Sequence, residues 1–547
     1  MDNTDIQGSI QQLERLISTG LALSAEKDST RLMETILLEA KNLTRADGGT
    51  LYTMSDDGSC LHFATIHNDS LQIAMGGTTD VPILFQPIPL HLEDGNANDH
   101  MVVVRAVLEN RTFNIPDAYD VDSFDFSGTR AFDKRTGYRS KSFLTVPMKN
   151  HEDKIIGVLQ LINAQDPKTG EVIAFSRSNQ RLVEALSSQA AIAMTNKMLL
   201  DGQRKLFEAF IELIASAIDD KSPYTGGHCR RVPELTMKLA EAAHRTQEGP
   251  FQGFQMTEDD RYELRIAAWL HDCGKVVTPV HVVDKSVKLE TIHDRIETVS
   301  ARMEVIRRDL EIRHLKEEIA AMKAGQAPEI DWERRVKEID KINDDMNFLR
   351  RVNTGSEFMP KEEQQRIYEI ARQRYLDGQG NWVSLLSDDE AKNLTISRGT
   401  LTEEERKIIN YHIVATIKML ESLPFPNYLK RVPEFAGGHH ERMDGKGYPN
   451  GLRREQMSVQ ARIMGIADIF EALTARDRPY KKGKTLSESL KIMEHMKKDQ
   501  HIDPDLFDLF IREKVYLDYA NLYLEPEQID EVDESSLLGY RPLADAA

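Results

Sequence analysis

Residues 264–275 read LRIAAWLHDCGK, an apolar helical run, Leu264–Leu270, that closes on the adjacent pair His271-Asp272 and continues into Gly274-Lys275. Two ionisable groups set against an apolar helix need a partner or a metal, because burying an unpaired charge is costly. Four further motifs of the same character lie on either side. His228 stands in YTGGHCRRV, residues 224–232. His412 lies within Glu403–Leu420, where Ile408, Ile409, Ile413 and Ile417 mark a packed helix. His439 and His440 open HHERMDGKGYP, which runs to Pro449, and Asp468 ends ARIMGIAD, residues 461–468. A lone histidine on an apolar helix is usually a core residue with a satisfied ring nitrogen, so each motif alone is weak. Adjacent His-Asp and His-His pairs are stronger, because imidazole and carboxylate suit iron, manganese, nickel or zinc. An aspartate can bridge two cations, which a single imidazole nitrogen cannot. Paired metals hold a hydroxide at neutral pH and neutralise a phosphate under attack.

The chain has 547 residues, enough for two to four domains. Hydrophobic residues make up 40% and charged residues 29%, the composition of a folded soluble protein. Seventy basic against 89 acidic side chains give a formal charge of −19, which disfavours non-specific binding to nucleic acid or an anionic membrane. The three cysteines, Cys60, Cys229 and Cys273, form no CxxC pair, so neither a disulfide framework nor a zinc-thiolate site is expected. The first residues lack a basic start followed by an apolar run, and no apolar stretch approaches the roughly 20 residues of a membrane span. A cytoplasmic location without membrane insertion is the expectation.

Periodicity divides the chain. Residues 1–24 form a helical lead-in, and 25–198 mix helix and strand: helical spacing over Ser29–Ala46, then β-rich runs at Gly49–Met54, Leu61–Ile66, Met101–Val104, Ser142–Met148 and Ile155–Ile162, and a helix from Phe175. This is the order of an α+β sensor layer. Residues 199–222 continue as a connecting helix, with Ile192, Leu199, Leu206, Phe210, Leu213 and Ala217 at helical spacing. Two such helices can pair as a coiled coil, so a homodimer is expected. Residues 223–547 hold the His/Asp motifs, interrupted by 286–399. Within that interruption Ile292, Ile296, Val299, Met303, Ile306 and Leu310 form one seam, and Trp332, Val336, Ile339, Met346 and Leu349 form another. Gly325 and Pro328 separate them, which predicts an antiparallel helical hairpin.

Two resemblances sharpen this reading. FDKRTGY at 132–138, LTVPM at 144–148 and IGVLQLIN at 156–163 resemble the cyclic-nucleotide-phosphodiesterase branch of GAF domains. Ala164, Asn179 and Gln180 depart from that branch's nucleotide signature, so the implied small ligand of the domain is unknown. The set His-x-x-Arg-Val, His-Asp-x-Gly-Lys, a later helical His, His-His-Glu-Arg-x-Asp-Gly-x-Gly-Tyr-Pro and Ala-Arg-Ile-x-x-x-Ala-Asp resembles the HD-GYP branch of the HD superfamily. The resemblance covers about 205–520 apart from the insertion.

The HD-GYP resemblance implies an all-helical bundle that hydrolyses cyclic di-GMP to pGpG, in some members onward to GMP, by a hydroxide activated between two divalent ions. Iron or manganese are the expected ions, with nickel or zinc as alternatives. It implies one ion held by His228, His271, Asp272 and Asp468 and a second by Asp272, His412, His439 and His440, with Asp272 bridging. Lys275 is implied to stabilise phosphoryl charge, and Tyr448, Arg478 and Lys481 to contact substrate. The GYP loop, given turning freedom by Gly445 and Gly447, is implied as a contact for a GGDEF-domain partner. Three-metal members carry a Glu where this chain has Tyr224, which predicts two ions. Two rival readings keep the fold: a receptor for cyclic di-GMP with little turnover, and a phosphodiesterase for another cyclic dinucleotide such as 3′,3′-cGAMP.

Overall fold

Helix α1 (Asn3–Ala25) precedes α2 (Ser29–Thr44), which starts where the Asp28 carboxylate accepts the Arg31 amide at 2.7 Å and stops where Arg45 turns left-handed at φ 56°. The computed structural model describes residues 3–221, 227–355, 358–476 and 483–537. The chain divides into two compact units, Met1–Phe207 and Glu208–Ala547.

The first unit is built on one antiparallel sheet of eight strands. These are β1 (Ala46–Met54), β2 (Cys60–Asn68), β3 (Ile73–Gly76), β4 (Ile88–Pro89), β5 (Phe113–Ile115), β6 (Phe143–Lys149), β7 (Ile155–Gln165) and β8 (Val172–Ile173). Their order is β3-β2-β1-β7-β6-β5, with β4 beside β2 and β8 beside β7. Alternation along the strands gives the sheet two apolar faces. On one, Leu51, Leu144, Val146, Leu159 and Leu161 pack under α2 and the start of α5 (Arg177–Lys221). The other is covered by α3 (Val102–Leu108) and by Ala118 and Phe126 of the chain that leads into α4 (Ser127–Thr136). The β-rich reading of Met101–Val104 is corrected here. Val102, Val103 and Val104 lie in α3, buried against the sheet, and burial on a curved surface outweighs the strand preference of valine. Helix α5 runs unbroken to Lys221, and its predicted apolar line is solvent-facing: Leu199 is 60% exposed and Leu213 is 63% exposed.

The second unit is mainly helical. Its scaffold comprises α6 (His228–Arg245), α7 (Glu258–Leu270), α8 (Val280–Val283), and, after the insertion, α13 (Glu403–Glu421), α14 (Val432–Gly437), α15 (Val459–Thr474), α16 (Leu486–Lys498), α17 (Pro504–Arg512) and α18 (Val515–Tyr523). Reciprocal caps start α7 (Thr257 with Asp260) and α13 (Thr402 with Glu405), fixing where the helices carrying His271 and His412 begin.

The insertion contains the expected antiparallel pair, α9 (Ile296–Lys323) and α10 (Trp332–Asn353), and more besides. Helices α11 (Lys361–Ala371) and α12 (Asp388–Leu394) and a short ribbon, β9 (Arg374–Leu376) with β10 (Trp382–Ser384), complete it. It has a core of its own around Val299, Met303, Leu349, Ile367, Leu385 and Leu394. Ile292 is corrected out of the seam: it precedes α9 and is 97% exposed. Trp332 and Val336 are likewise exposed, because the paired helices meet mainly at the end nearer Ile296 and Val352. The insertion's two ends adjoin. The Thr400 hydroxyl donates to the Lys285 carbonyl at 2.9 Å, and the Lys285 ammonium meets Glu405 at 2.8 Å. Among the described residues, no helix is long and apolar enough to cross a membrane.

Candidate metal centre

Five separate segments bring the predicted ligands together. His228 begins α6, His271 ends α7, Asp272 leads into a 3-10 turn (Cys273–Val277), His412 sits within α13, His439 and His440 follow α14, and Asp468 lies on α15. Close approach of the His-Asp turn to α13 depends on Gly274: a Cβ there would lie 1.9 Å from the His412 carbonyl oxygen. The Gly274 amide instead donates to the Thr416 hydroxyl at 2.9 Å.

Three overlapping groups result, His228 with His271 and Asp468, His412 with His439 and His440, and, linking these two clusters, His271 with Asp272 and His439, each with donor atoms within 4.8 Å of one another. Asp272 faces both. Its Oδ2 lies 3.3 Å from Nε2 of His228 and of His271, and its Oδ1 lies 3.3 Å from Nε2 of His412. The side chains of His271, Asp272, His412 and His439 are buried.

The imidazoles are held by their outer nitrogens. Nδ1 of His271 lies 2.7 Å from the Ala268 carbonyl, Nδ1 of His412 lies 2.5 Å from that of Ile409, and Nδ1 of His439 lies 2.6 Å from that of Ala436. A carbonyl only accepts, so each Nδ1 carries the proton in the neutral ring and each Nε2 turns a lone pair inward. His228 is fixed differently: its Nδ1 meets the Glu471 carboxylate at 2.5 Å, and the other oxygen of Glu471 takes Arg231 at 2.7 Å. The sequence reading missed Glu471 and gave Arg231, the arginine of the His-x-x-Arg-Val motif, no role. Glu471 follows Asp468 by three residues and Arg231 follows His228 by three, the spacing that puts two side chains on one helical face.

Electrostatics separate the clusters. Burial pushes His439 well below the usual imidazole range and His440 down to about 4, so both are neutral near pH 7. Burial also opposes charge on His271, but the Asp272 carboxylate overrides it and lifts the imidazole to about 9. The carboxyls of Asp272 and Asp468 resist burial and stay well below the usual range, Asp272 chiefly through Lys275 and His271, and Asp468 through His228 and His271. The Lys275 ammonium sits 2.5 Å from Asp272 Oδ2 and is raised by it against the penalty of burial.

Converging lone pairs are the test of whether cations fit. Nε2 of His271 and His228 are 3.3 Å apart, as are Nε2 of His440 and His412. Nε2 of His439 and Oδ1 of Asp272 are buried without a hydrogen-bond partner. Buried acceptors facing one another are unfavourable unless a proton or cation lies between them. The donor set of imidazoles and carboxylates fits divalent transition metals.

One wall is the GYP loop. The Tyr448 ring stacks on His440 at a centroid distance of 4.8 Å. Gly447 passes where a Cβ would lie 2.4 Å from the Arg442 amide nitrogen, and the Glu441 carboxylate ties the loop by accepting the Asn450 and Leu452 amides at 2.7 and 2.9 Å. Arg478, Lys481 and Tyr224 lie outside the described residues.

Comparison with known proteins agrees with this architecture. The GAF domain family matches residues 28–194, and HD domain families match 225–346 and 388–506. A Vibrio cholerae protein named 3′3′-cGAMP-specific phosphodiesterase 1 is 44% identical over 81 residues, 15% of this chain and 19% of its own. A Pseudomonas aeruginosa cyclic di-GMP phosphodiesterase is 37% identical over 114 residues, 21% of this chain and 26% of its own. A Thermotoga maritima cyclic di-GMP phosphodiesterase is 33% identical over 119 residues, 22% of this chain and 32% of its own. The chain thus spans less than a third of the length of each of these relatives. The chain carries a GAF-family segment followed by two HD-family segments, and the latter hold the His/Asp motif set that resembles HD-GYP proteins.

Proposed function

We propose that this chain hydrolyses cyclic di-GMP to pGpG, under control of a ligand or state sensed by its GAF domain. The observation that carries the reading is Asp272, whose two oxygens face two different histidine clusters in one buried cage. One divalent ion is held by His228, His271, Asp272 and Asp468, and the other by Asp272, His412, His439 and His440, with iron or manganese best suited. When bound, the paired ions supply Lewis acidity, lowering the pKa of a water and neutralising phosphoryl charge.

The protein's own groups supply the rest. Neutral His439 and His440 offer lone pairs without first losing a proton. Lys275 brings a permanent positive charge to the edge of the cage, where it can pair with a phosphoryl oxygen in place of Asp272. Tyr448 presents an aromatic face beside His440 for a purine or ribose, and Arg478 and Lys481 are assigned to the phosphates. Homodimerisation through the exposed Ile192, Leu199, Leu206 and Leu213, spaced by seven on α5, and a GGDEF-domain contact at the GYP loop belong to the same reading.

The test is to incubate manganese- or ferrous-loaded protein with cyclic di-GMP and resolve the products by chromatography. Asp272→Ala is expected to lose both ions and all turnover. Lys275→Ala is expected to keep the ions and slow hydrolysis by about a hundredfold or more. The 44% identity to the 3′3′-cGAMP-specific enzyme supports a second substrate, so 3′,3′-cGAMP is run in parallel. A metal-loaded protein that binds nucleotide but releases no linear product overturns the enzymatic reading in favour of a receptor.

A further inference from the structure

Helix α5 begins within the GAF match at Arg177 and ends at Lys221, and its final turn reaches two segments of the metal cage. The Lys221 ammonium donates to three carbonyl oxygens, those of Lys275 at 2.9 Å, Val276 at 2.5 Å and Thr278 at 2.7 Å. A lysine has three N–H donors, so the side chain is fully engaged by this one stretch. Two residues earlier, the buried Asp219 accepts the Gly227 amide at 3.0 Å and the Cys229 amide at 3.3 Å. Those amides flank His228, the first residue of α6.

The two contacts are complementary in charge. Lys221 places a cation on carbonyls at the end of the 3-10 turn, some of which lack a partner within that turn. Asp219 places an anion at the amino end of α6, where exposed amides and the helix dipole favour it. Both contacted segments carry chemistry. Lys275 is itself one of the clamped residues, and its ammonium meets Asp272, while His228 completes the first cluster. A hydrogen bond weakens steeply once donor and acceptor separate beyond about 3.5 Å. A shift of about 1 Å in the end of α5 therefore strains all five bonds together.

We propose that Asp219 and Lys221 are positioning residues for the cage: they hold the start of α6 and the Lys275–Thr278 stretch in register, and movement of α5 reaches the catalytic groups through them. The consequence for turnover rests on the phosphodiesterase reading, whereas the positioning itself does not. The experiment uses the full-length, manganese-loaded chain with Lys221→Met, Lys221→Arg and Asp219→Asn. Hydrogen–deuterium exchange is read at the amides of Lys275 and Thr278 and at those of Gly227 and Cys229, with metal content and steady-state kinetics on cyclic di-GMP.

Lys221→Met is expected to speed exchange at Lys275 and Thr278 by about tenfold while α9 and α10 exchange as before. It is expected to keep its metal and to lower kcat about tenfold with little change in KM, and Lys221→Arg is expected to restore part of both effects. Asp219→Asn is expected to speed exchange at Gly227 and Cys229 and to weaken one of the two ions. The proposal is overturned if Lys221→Met leaves exchange and kcat at wild-type values, or raises exchange uniformly across the second unit. Wild-type protein without turnover but with these exchange shifts removes the phosphodiesterase reading and leaves the positioning role standing.

Discussion

Glu471→Gln removes one negative charge from a side chain that is 1% exposed and holds two partners at once. Its carboxylate accepts from His228 Nδ1 at 2.5 Å with one oxygen and from Arg231 at 2.7 Å with the other. A glutamine has a single acceptor oxygen, so its NH2 must point at one of these donors. If Arg231 keeps the oxygen, the His228 ring loses the acceptor that fixes its proton on Nδ1. Its Nε2 then no longer points by default toward Asp272 and Asp468, each 3.3 Å away. Loss of such an outer partner typically weakens metal affinity by about 10- to 100-fold, or roughly 1.4–2.7 kcal/mol. The effect should fall on one ion, because Glu471 holds only His228 among the ligands; the His412, His439 and His440 cluster should change by less than about threefold. Chelator-competition titration with Mn2+ at pH 7.5, with thermal unfolding in parallel, measures both. Two ions binding as tightly as in the wild type, in a protein of unchanged Tm, would refute the reasoning.

The two ions should also differ in their response to pH. In the metal-free protein His271 titrates at about 9 and His228 is raised as well, so below that pH an ion entering the first cluster must displace protons. Affinity there should fall as pH drops, by about tenfold per unit for each proton displaced. His440 titrates at about 4 and His439 is held well below the usual imidazole range, so these two ligands displace no proton near pH 7 and the second ion should depend on pH less steeply than the first. Parallel slopes for the two ions in titrations at several pH values would contradict this. Gly274→Ala should cost about 3 kcal/mol, because the new Cβ would meet the His412 carbonyl oxygen at 1.9 Å and the Thr416 amide nitrogen at 2.6 Å, both backbone atoms. A chemical-denaturation midpoint equal to that of the wild type would show that the turn can relax away from α13.

Legibility followed the physics of each element. Where a strong period met a local stop signal, as in Ser29–Ala46 or the paired seams of α9 and α10, the helices were readable to within a few residues. Met101–Val104 was not, because a run of valines looks like a strand until the sheet it covers is known. Ile292 fits a four-and-three spacing but lies before the helix starts, and spacing alone does not mark a helix start. The ribbon of β9 and β10 is three residues per strand, too short for alternation to register. At the site, the candidate ligands are spread from His228 to Asp468, and no local pattern states that they converge; only the whole set of motifs pointed to it. Glu471, Asp219 and Lys221 were invisible for the same reason, since each acts through partners distant in sequence.

The insertion leaves and rejoins the scaffold at neighbouring points, Lys285 and Thr400, one hydrogen bond apart. With a hydrophobic interior of its own, the excursion behaves as a cassette in a single socket. Beyond those ends, α12 meets the helix that carries His412 through the Lys392–Glu404 ion pair at 2.9 Å. The far ends of α9 and α10, with Trp332 and Val336 exposed, are the part whose length and surface can diverge between relatives while the ligand geometry stays as it is.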